Sequence, residues 1–454
     1  MKTLKMKTLK ELGLAAPEIL LPKKIDTEKW AVIACDQYTQ NKEYWENVKK
    51  ICGTEPSALN LILPEIYLGE KDKTQRIEKI RSTMNEYLKN GVFAEPKKEF
   101  IYIERTTAYG RKRCGLLAAI DLDSYEWKPF SKALVRATEA TIVERLPPRM
   151  EIRKGAPLEL PHIMLLVNDA HCSLVEQTGE AVKKSGKKPE YSGTLMQNGG
   201  EITGWGIESD QEIAEIEKKL NEIAEQNTES DGSVFLFAVG DGNHSLATAK
   251  AVWEEHKKAL IAEGKSEQEI QSSPVRYAMA EIVNLYDAGL TFEPIHRVLF
   301  NCNPKKIIDF LAEKLEGSIA EYEDEIQLAA AVKDSSKGAN FGFCFTERGK
   351  TRFCAILTQI KELAVARLQP KLDDFINAEN SAGKGSSIEI DYIHGEKDLL
   401  ELGKKENSLA ILLPPISKDS FFATINGSGP LPRKSFSMGE ADEKRFYMES
   451  RRLF

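Results

Sequence analysis

An apolar run at residues 234–239 leads into Gly240-Asp241-Gly242-Asn243, and Leu246, Ala249, Trp253 and Leu260 then recur at helical spacing. That order of strand, glycine turn and helix sets the class, because strands alternating with helices give an α/β arrangement. The approach to it is also regular. Ser209-Asp210-Gln211-Glu212 is a capping box, and Ile213, Ile216, Leu220 and Ile223 continue it as a helix with a solvated opposite face.

The rest of the chain supplies similar material. A buried strand is expected at 30–34, with Asp36-Gln37-Tyr38 at its carboxyl end and helices at 39–49 and 74–89. Strands at 99–105 and 113–120 join through Gly110, and Asn198-Gly199-Gly200 marks a hairpin between 192 and 207. Residues 131–169 read as a loop-rich polar stretch around Pro147-Pro148, closed by a buried strand at 163–167; Lys183 to Lys188 reads as a surface loop. Later come a strand at 294–300, a helix opened by Asn303-Pro304, and a hairpin with strands at 341–345 and 352–357.

At 454 residues the chain exceeds what one core usually serves. The expected division is 11–300 and 301–454, the second a smaller α+β unit ending in a basic tail with Arg433, Lys434, Lys444, Arg445, Arg451 and Arg452. The first ten residues repeat one pentapeptide, Met1 to Lys5 and again Met6 to Lys10, and are set aside as an alternative start. A net charge of -7 with interspersed signs offers no basic stripe for nucleic acid. No apolar run reaches the roughly 18 residues that would span a bilayer, so a cytoplasmic protein without membrane or nucleic-acid partners is expected. The seven cysteines form no C-x-x-C pair, which argues for reduced thiols and against a zinc site. No H-E-x-x-H spacing is present, so no protein-held metal is expected.

A glycine turn before a helix aims unpaired N–H groups and the positive end of the helix dipole at one point, which suits phosphate. Gly240 and Gly242 would permit positive φ and close approach, while Asn243, His244 and Ser245 would add side-chain donors. The alternative is a turn chosen for geometry alone. Arg136, Arg145, Arg149 and Arg153, interleaved with Glu139, Glu144, Glu151 and Glu159, are candidates for phosphate contacts or for ion pairs with those acids. Asp36, Glu139 and Asp241 are candidates for a base that orients an attacking hydroxyl or for a ligand to a metal carried by the donor, with helix capping as the other role for Asp36. Among the histidines, His244 and His162 are the better candidates, a structural hydrogen bond being the competing role for His162; His296 beside Arg297 is undecided, and His256 lies on a helix.

The segment Gly240 to Ala249 resembles the D-G-H-H-R-x-x-x-A signature of a large prokaryotic family of unknown function. The likeness extends over most of the chain: Ala34-Cys35-Asp36-Gln37-Tyr38, Arg136-Ala137-Thr138-Glu139-Ala140-Thr141, Glu293-Pro294-Ile295-His296-Arg297, Asp391-Tyr392-Ile393-His394 and Pro432-Arg433-Lys434-Ser435. The loop alone is similar to the phosphate-binding box of the ParB/sulfiredoxin fold shared by free serine kinases. The resemblance implies a ParB/sulfiredoxin-like core elaborated with extra strands and helices. It also implies a phosphotransferase moving a phosphoryl group between a nucleotide or pyrophosphate and the hydroxyl of L-serine or a similar metabolite, with magnesium accompanying the donor. A phosphoserine phosphatase-type reaction and a non-catalytic nucleotide-binding switch are the alternatives. Asn243 and Ser245 stand where the signature has histidine and arginine, so positive charge must come from elsewhere. Arg136, Arg145, Arg149 and Arg153 are the expected source, with Arg297 and Lys434 behind them, and Thr138 and His162 complete the expected binding set.

Overall fold

The computed structural model describes residues 6–24, 26–383 and 386–454. The fold is mixed α/β in two units, Met1–Leu290 with Gly439–Phe454 and Thr291–Met438. This differs from the expected division at 300/301 in two ways. The strand His296–Phe300 is an interior member of the second unit's sheet, so the boundary falls before it. The end of the chain returns to the first unit, and there Lys444, Arg445 and Arg451 are buried instead of forming a solvated basic tail.

The first unit is built on a ten-stranded sheet. Its path runs Tyr191–Leu195, Gly200–Ile207, Phe100–Thr106, Lys112–Asp121, Tyr277–Asn284, Ile163–Val167, Phe237–Asp241, Val135–Ala137 and Tyr125–Glu126, with Leu14–Ala15 paired beside Lys112–Asp121. Both expected hairpins form: Thr106 pairs with Lys112 and Leu195 with Gly200. The sheet mixes directions, since Ile163–Val167 is parallel to Tyr277–Asn284 and antiparallel to Phe237–Asp241, which is parallel to Val135–Ala137.

Alternation along the strands feeds two cores. Phe100 and Tyr102 face the core that holds Ile216, Leu220, Leu246 and Trp253 of the helices Asp210–Gln226 and Asn243–Ala262. Ile101 and Ile103 face the other, with Trp45 and Val48 of Lys42–Cys52, Ile77 and Met84 of Lys73–Lys89, and Phe446 and Tyr447 from the chain end. The capping box at Ser209 and Glu212 forms as its sequence requires.

Three local expectations change. The helix expected at 39–49 begins later, at Lys42, because Asn41 takes the cap and accepts the Tyr44 N–H at 3.0 Å. Residues 131–169 are not mainly loop: they contain the strand Val135–Ala137 and the helix Leu146–Arg153, whose prolines occupy the first helical positions where a missing N–H costs nothing. The expected loop at 183–188 starts inside the helix Glu176–Lys184. The second copy of the opening pentapeptide is part of the fold, with the Leu9 N–H on Glu217 at 2.8 Å and Leu12 in the core; the first copy lies outside the described residues.

The second unit is an antiparallel sheet in the order Ser318–Tyr322, Lys350–Leu357, Asn340–Glu347, Leu409–Leu412, His296–Phe300 and Glu389–Ile393. Helices Pro304–Lys314 and Ala364–Ser381 cover one face, and Glu325–Lys333 and Glu396–Gly403 the other. Among the described residues no helix is long and apolar enough to cross a membrane.

Candidate functional site

The glycine turn sits where three strand ends meet. Val135–Ala137 and Phe237–Asp241 run parallel, so Thr138 and Gly242 leave the sheet at the same edge. Ile163–Val167 runs the other way beside Phe237–Asp241, so His162 enters there. Gly240 is a residue of the strand, and the positive φ of the turn belongs to Gly242 at 80°. A Cβ on Gly242 would lie 3.1 Å from Ile163 Cγ1 and 3.2 Å from its Cα, so both backbone conformation and close packing call for glycine here.

Gly242 is the N-cap of Asn243–Ala262 and offers no side-chain cap. Asp241 Oδ1 accepts the Gly242 N–H at 3.0 Å, and its Oδ2 is 3.3 Å from Lys444 Nζ. Asn243 clamps the neighbouring strand end: its Oδ1 accepts the Thr138 N–H and its Nδ2 donates to Thr138 Oγ1, both at 3.2 Å, while that hydroxyl donates to the Val239 carbonyl at 2.6 Å. His244 Nε2 accepts the Ile142 N–H at 3.3 Å. These two side chains, expected as ligand donors, fasten residues 138–142 to the helix. Glu139 lies half-buried in that fastened segment.

Ser245 turns to the other side. Its Oγ is 2.7 Å from His162 Nε2, and His162 Nδ1 is 2.9 Å from Tyr447 Oη, which also accepts the Cys35 N–H at 3.1 Å. This links the turn to the segment bearing Asp36. Asp36 is half-buried, accepts from Gln37 Nε2 at 2.9 Å, and does not cap the following helix. Burial pushes the Cys35 thiol far above its usual range, with the Asp36 charge adding to the effect.

Ser245, His162 and Tyr447 form one end of a cleft of about 140 Å³ whose walls also include Cys35, Glu65, Arg149 and Arg153. Arg149 places Nε and Nη2 on Glu65 Oε1 at 2.8 and 2.5 Å, and its Nη1 donates to the Arg145 carbonyl at 2.8 Å. Arg153 donates to Glu159 Oε1 at 2.6 Å, and Arg451 to Glu159 Oε2 at 2.5 Å. The Arg145 side chain is exposed. Arg136 is buried over the Phe235 ring at 4.4 Å with Nε on the Ala133 carbonyl at 2.8 Å, and burial lowers its pKa. His296, Arg297 and Lys434 belong to the second unit. There His296 Nδ1 accepts the Leu413 N–H at 3.1 Å, and Arg297 is buried with Nε on Gln369 at 2.8 Å.

Lys444, Tyr447 and Glu65 were not singled out by sequence. The first two reach the site because the chain end is held from beneath. Arg445 pairs with Glu281 at 3.3 Å and Glu449 at 2.6 Å, all three buried, and Arg105 donates to the carbonyls of Lys444 and Asp442 at 2.7 Å. Phe446–Tyr447 then pairs with Val32–Ile33. The visible signal was the cationic cluster near the end, but a two-residue strand leaves too little periodicity to place it. Glu65 had no signal beyond the apolar run before it.

Chemically, the turn offers first-turn N–H groups and a lysine ammonium to an anion, with the Asp241 carboxylate alongside, while the Ser245 hydroxyl faces the cleft. Among the described residues no group of three or more His, Cys, Asp or Glu side chains is placed to hold a metal ion.

Among solved structures, the chain is similar to a conserved hypothetical protein from Pyrococcus furiosus, at 12% identity over 74% of this chain and 94% of that one, with a TM-score of 0.33. It is similar to a free serine kinase in complex with AMP at 11% identity, over 75% of this chain and 92% of that one, TM-score 0.35. A C-terminally truncated SbnI from Staphylococcus aureus is similar at 8% identity, over 71% and 82% of the two chains, TM-score 0.33. Likeness at this level carries no argument about activity. No curated protein sequence matches the chain. The family described as a protein of unknown function, DUF1015, matches residues 19–375, and the chain belongs to that family.

Proposed function

We propose that the turn at Gly240 to Ser245 binds the transferring phosphate of a small-molecule phosphotransferase. The donor is a nucleotide or pyrophosphate, and the acceptor is the hydroxyl of a small metabolite, L-serine being the one that the resemblance of the loop names. The observation that carries this reading is Gly242: a left-handed N-cap without a side chain, packed against Ile163, opening a long helix beside Lys444. A capped helix has already used the N–H groups that an anion needs; this one has no side-chain cap.

An incoming phosphate would compete with Asp241 for Lys444, and release from that pair would leave the Asp241 carboxylate able to accept a proton. The acceptor oxygen attacks phosphorus, its proton passes to Asp241 or Asp36, and the bond from phosphorus to the donor's bridging oxygen breaks with its electron pair leaving on the donor. Magnesium accompanying the donor would be held by the Asp241 or Asp36 carboxylate and would neutralise charge on the phosphate oxygens. Run backwards, the same groups would consume a phosphoester.

The test is phosphorus NMR of the full chain with L-serine and, in turn, ADP, ATP or pyrophosphate with magnesium. A new phosphoester resonance that falls about 100-fold or more in rate in Asp241→Asn supports the reading. If no donor is consumed and none raises the melting temperature, the phosphotransferase is abandoned.

A further inference from the structure

The cleft beside the turn has a polar end and an apolar body. At the polar end the buried Tyr447 phenol, held well above its usual pKa by burial and by Cys35 and Asp36, keeps one proton to place. It accepts the Cys35 N–H, and both the Cys35 sulfur and His162 Nδ1 lie within reach of that proton. The His162 ring thus bridges Tyr447 Oη and Ser245 Oγ, one nitrogen on each. The Ser245 hydroxyl lines the cleft and is able to donate to or accept from an oxygen that enters it.

Leu61, Leu63, Met84, Ile152, Leu158 and Leu160 are among the apolar residues of the walls. The two acids that reach the cleft are already engaged, Glu65 by Arg149 and Glu159 by Arg153 and Arg451. The ammonium and carboxylate of a free amino acid would have to open those pairs and leave charges without compensation in a largely apolar surround. An uncharged body opens nothing and removes apolar wall from water.

We propose that this cleft is the acceptor subsite and takes an alcohol with an uncharged, apolar body, its oxygen meeting Ser245, in preference to free serine. The inference rests on the phosphate-binding reading of the turn, and the transfer step is the one given above with this alcohol oxygen as acceptor.

Isothermal titration calorimetry of the full chain tests it with butanol, hexanol, octanol, L-serine and magnesium pyrophosphate, each alone. Affinity should rise about three- to fourfold per added methylene. Ile152→Trp, which fills the cleft, should weaken hexanol at least tenfold while pyrophosphate binds as before; Leu160→Phe serves where Ile152→Trp does not fold. L-serine binding without any chain-length trend among the alcohols would overturn the apolar acceptor and leave the phosphate site standing. Alcohol binding without pyrophosphate binding would instead remove the phosphate site, and the acceptor role with it.

Discussion

The two units mix strand and helix in similar proportion, yet a candidate site arises in the first from strand direction. In the second unit each strand of the main sheet is antiparallel to its neighbours, so adjacent carboxyl ends point to opposite edges. In the first, Val135–Ala137 and Phe237–Asp241 are parallel, and their carboxyl ends deliver Thr138 and Gly242 to one edge. Crevices outside the carboxyl ends of strands are where open α/β sheets bind ligands. The first unit also packs Arg445, Glu281 and Glu449 together under its chain end, while in the second His296 accepts the Leu413 N–H and Arg297 bonds Gln369.

That contrast can be broken at several points. The largest effect is expected for Arg445→Ala, which would leave the buried Glu449 without its cation and Glu281 with Arg113 alone, and cost about 3 to 5 kcal/mol. Denaturant unfolding should show the loss in the first unit, with the chain end gaining hydrogen exchange before the second unit does. An unchanged midpoint would mean that the chain end is not held by this network.

Next come opposite pH slopes. Glu99 in the first unit is buried with both oxygens unpartnered among the described residues, and burial raises its pKa to about 7. Its folded pKa lies above the unfolded one, so the stability tied to its neutral form is complete below about 4.5 and is lost as pH rises through about 7. In the second unit burial lowers His296 to about 4, with the Arg297 charge adding to it. Its folded pKa lies below the unfolded one, so its contribution is present above about 6.5 and is lost as pH falls through about 4. Each spans at most about 3 kcal/mol. Hydrogen exchange between pH 4 and 7 should show the first unit losing protection upward and the second downward, with Glu99→Gln and His296→Gln each flattening its own unit alone. Parallel slopes in both units would refute the assignment.

A smaller effect tests the turn itself. Gly242→Ala forces a side chain into left-handed backbone and against Ile163, and should cost about 1 to 3 kcal/mol. Magnesium pyrophosphate should then lose at least tenfold in affinity, read by calorimetry. If affinity holds while stability drops, the glycine serves packing alone.

Local order was legible where a short stretch carries its own periodicity or cap. The helix Asp210–Gln226, the two hairpins of the first sheet and the strand, turn and helix around Gly242 all follow from spacing and from side chains that satisfy nearby backbone. The prolines at 147 and 148 misled, because the residue that breaks a helix interior is tolerated at its start. The charges misled most. Arg149 and Arg153 were visible as cations, but only packing shows that each closes on a glutamate; Lys444 and Tyr447 lie some two hundred residues beyond the turn they reach.

By itself, then, the sequence determined the elements and the turn, because hydrophobic period, caps and glycine conformations act within a few residues. Tertiary structure alone decided which strands run parallel, that Gly439–Phe454 crosses back to the first unit, and which charges are spent on each other. Those outcomes depend on burial shared between distant segments, and a two-residue strand or a lone lysine carries no local mark of the partner it will meet.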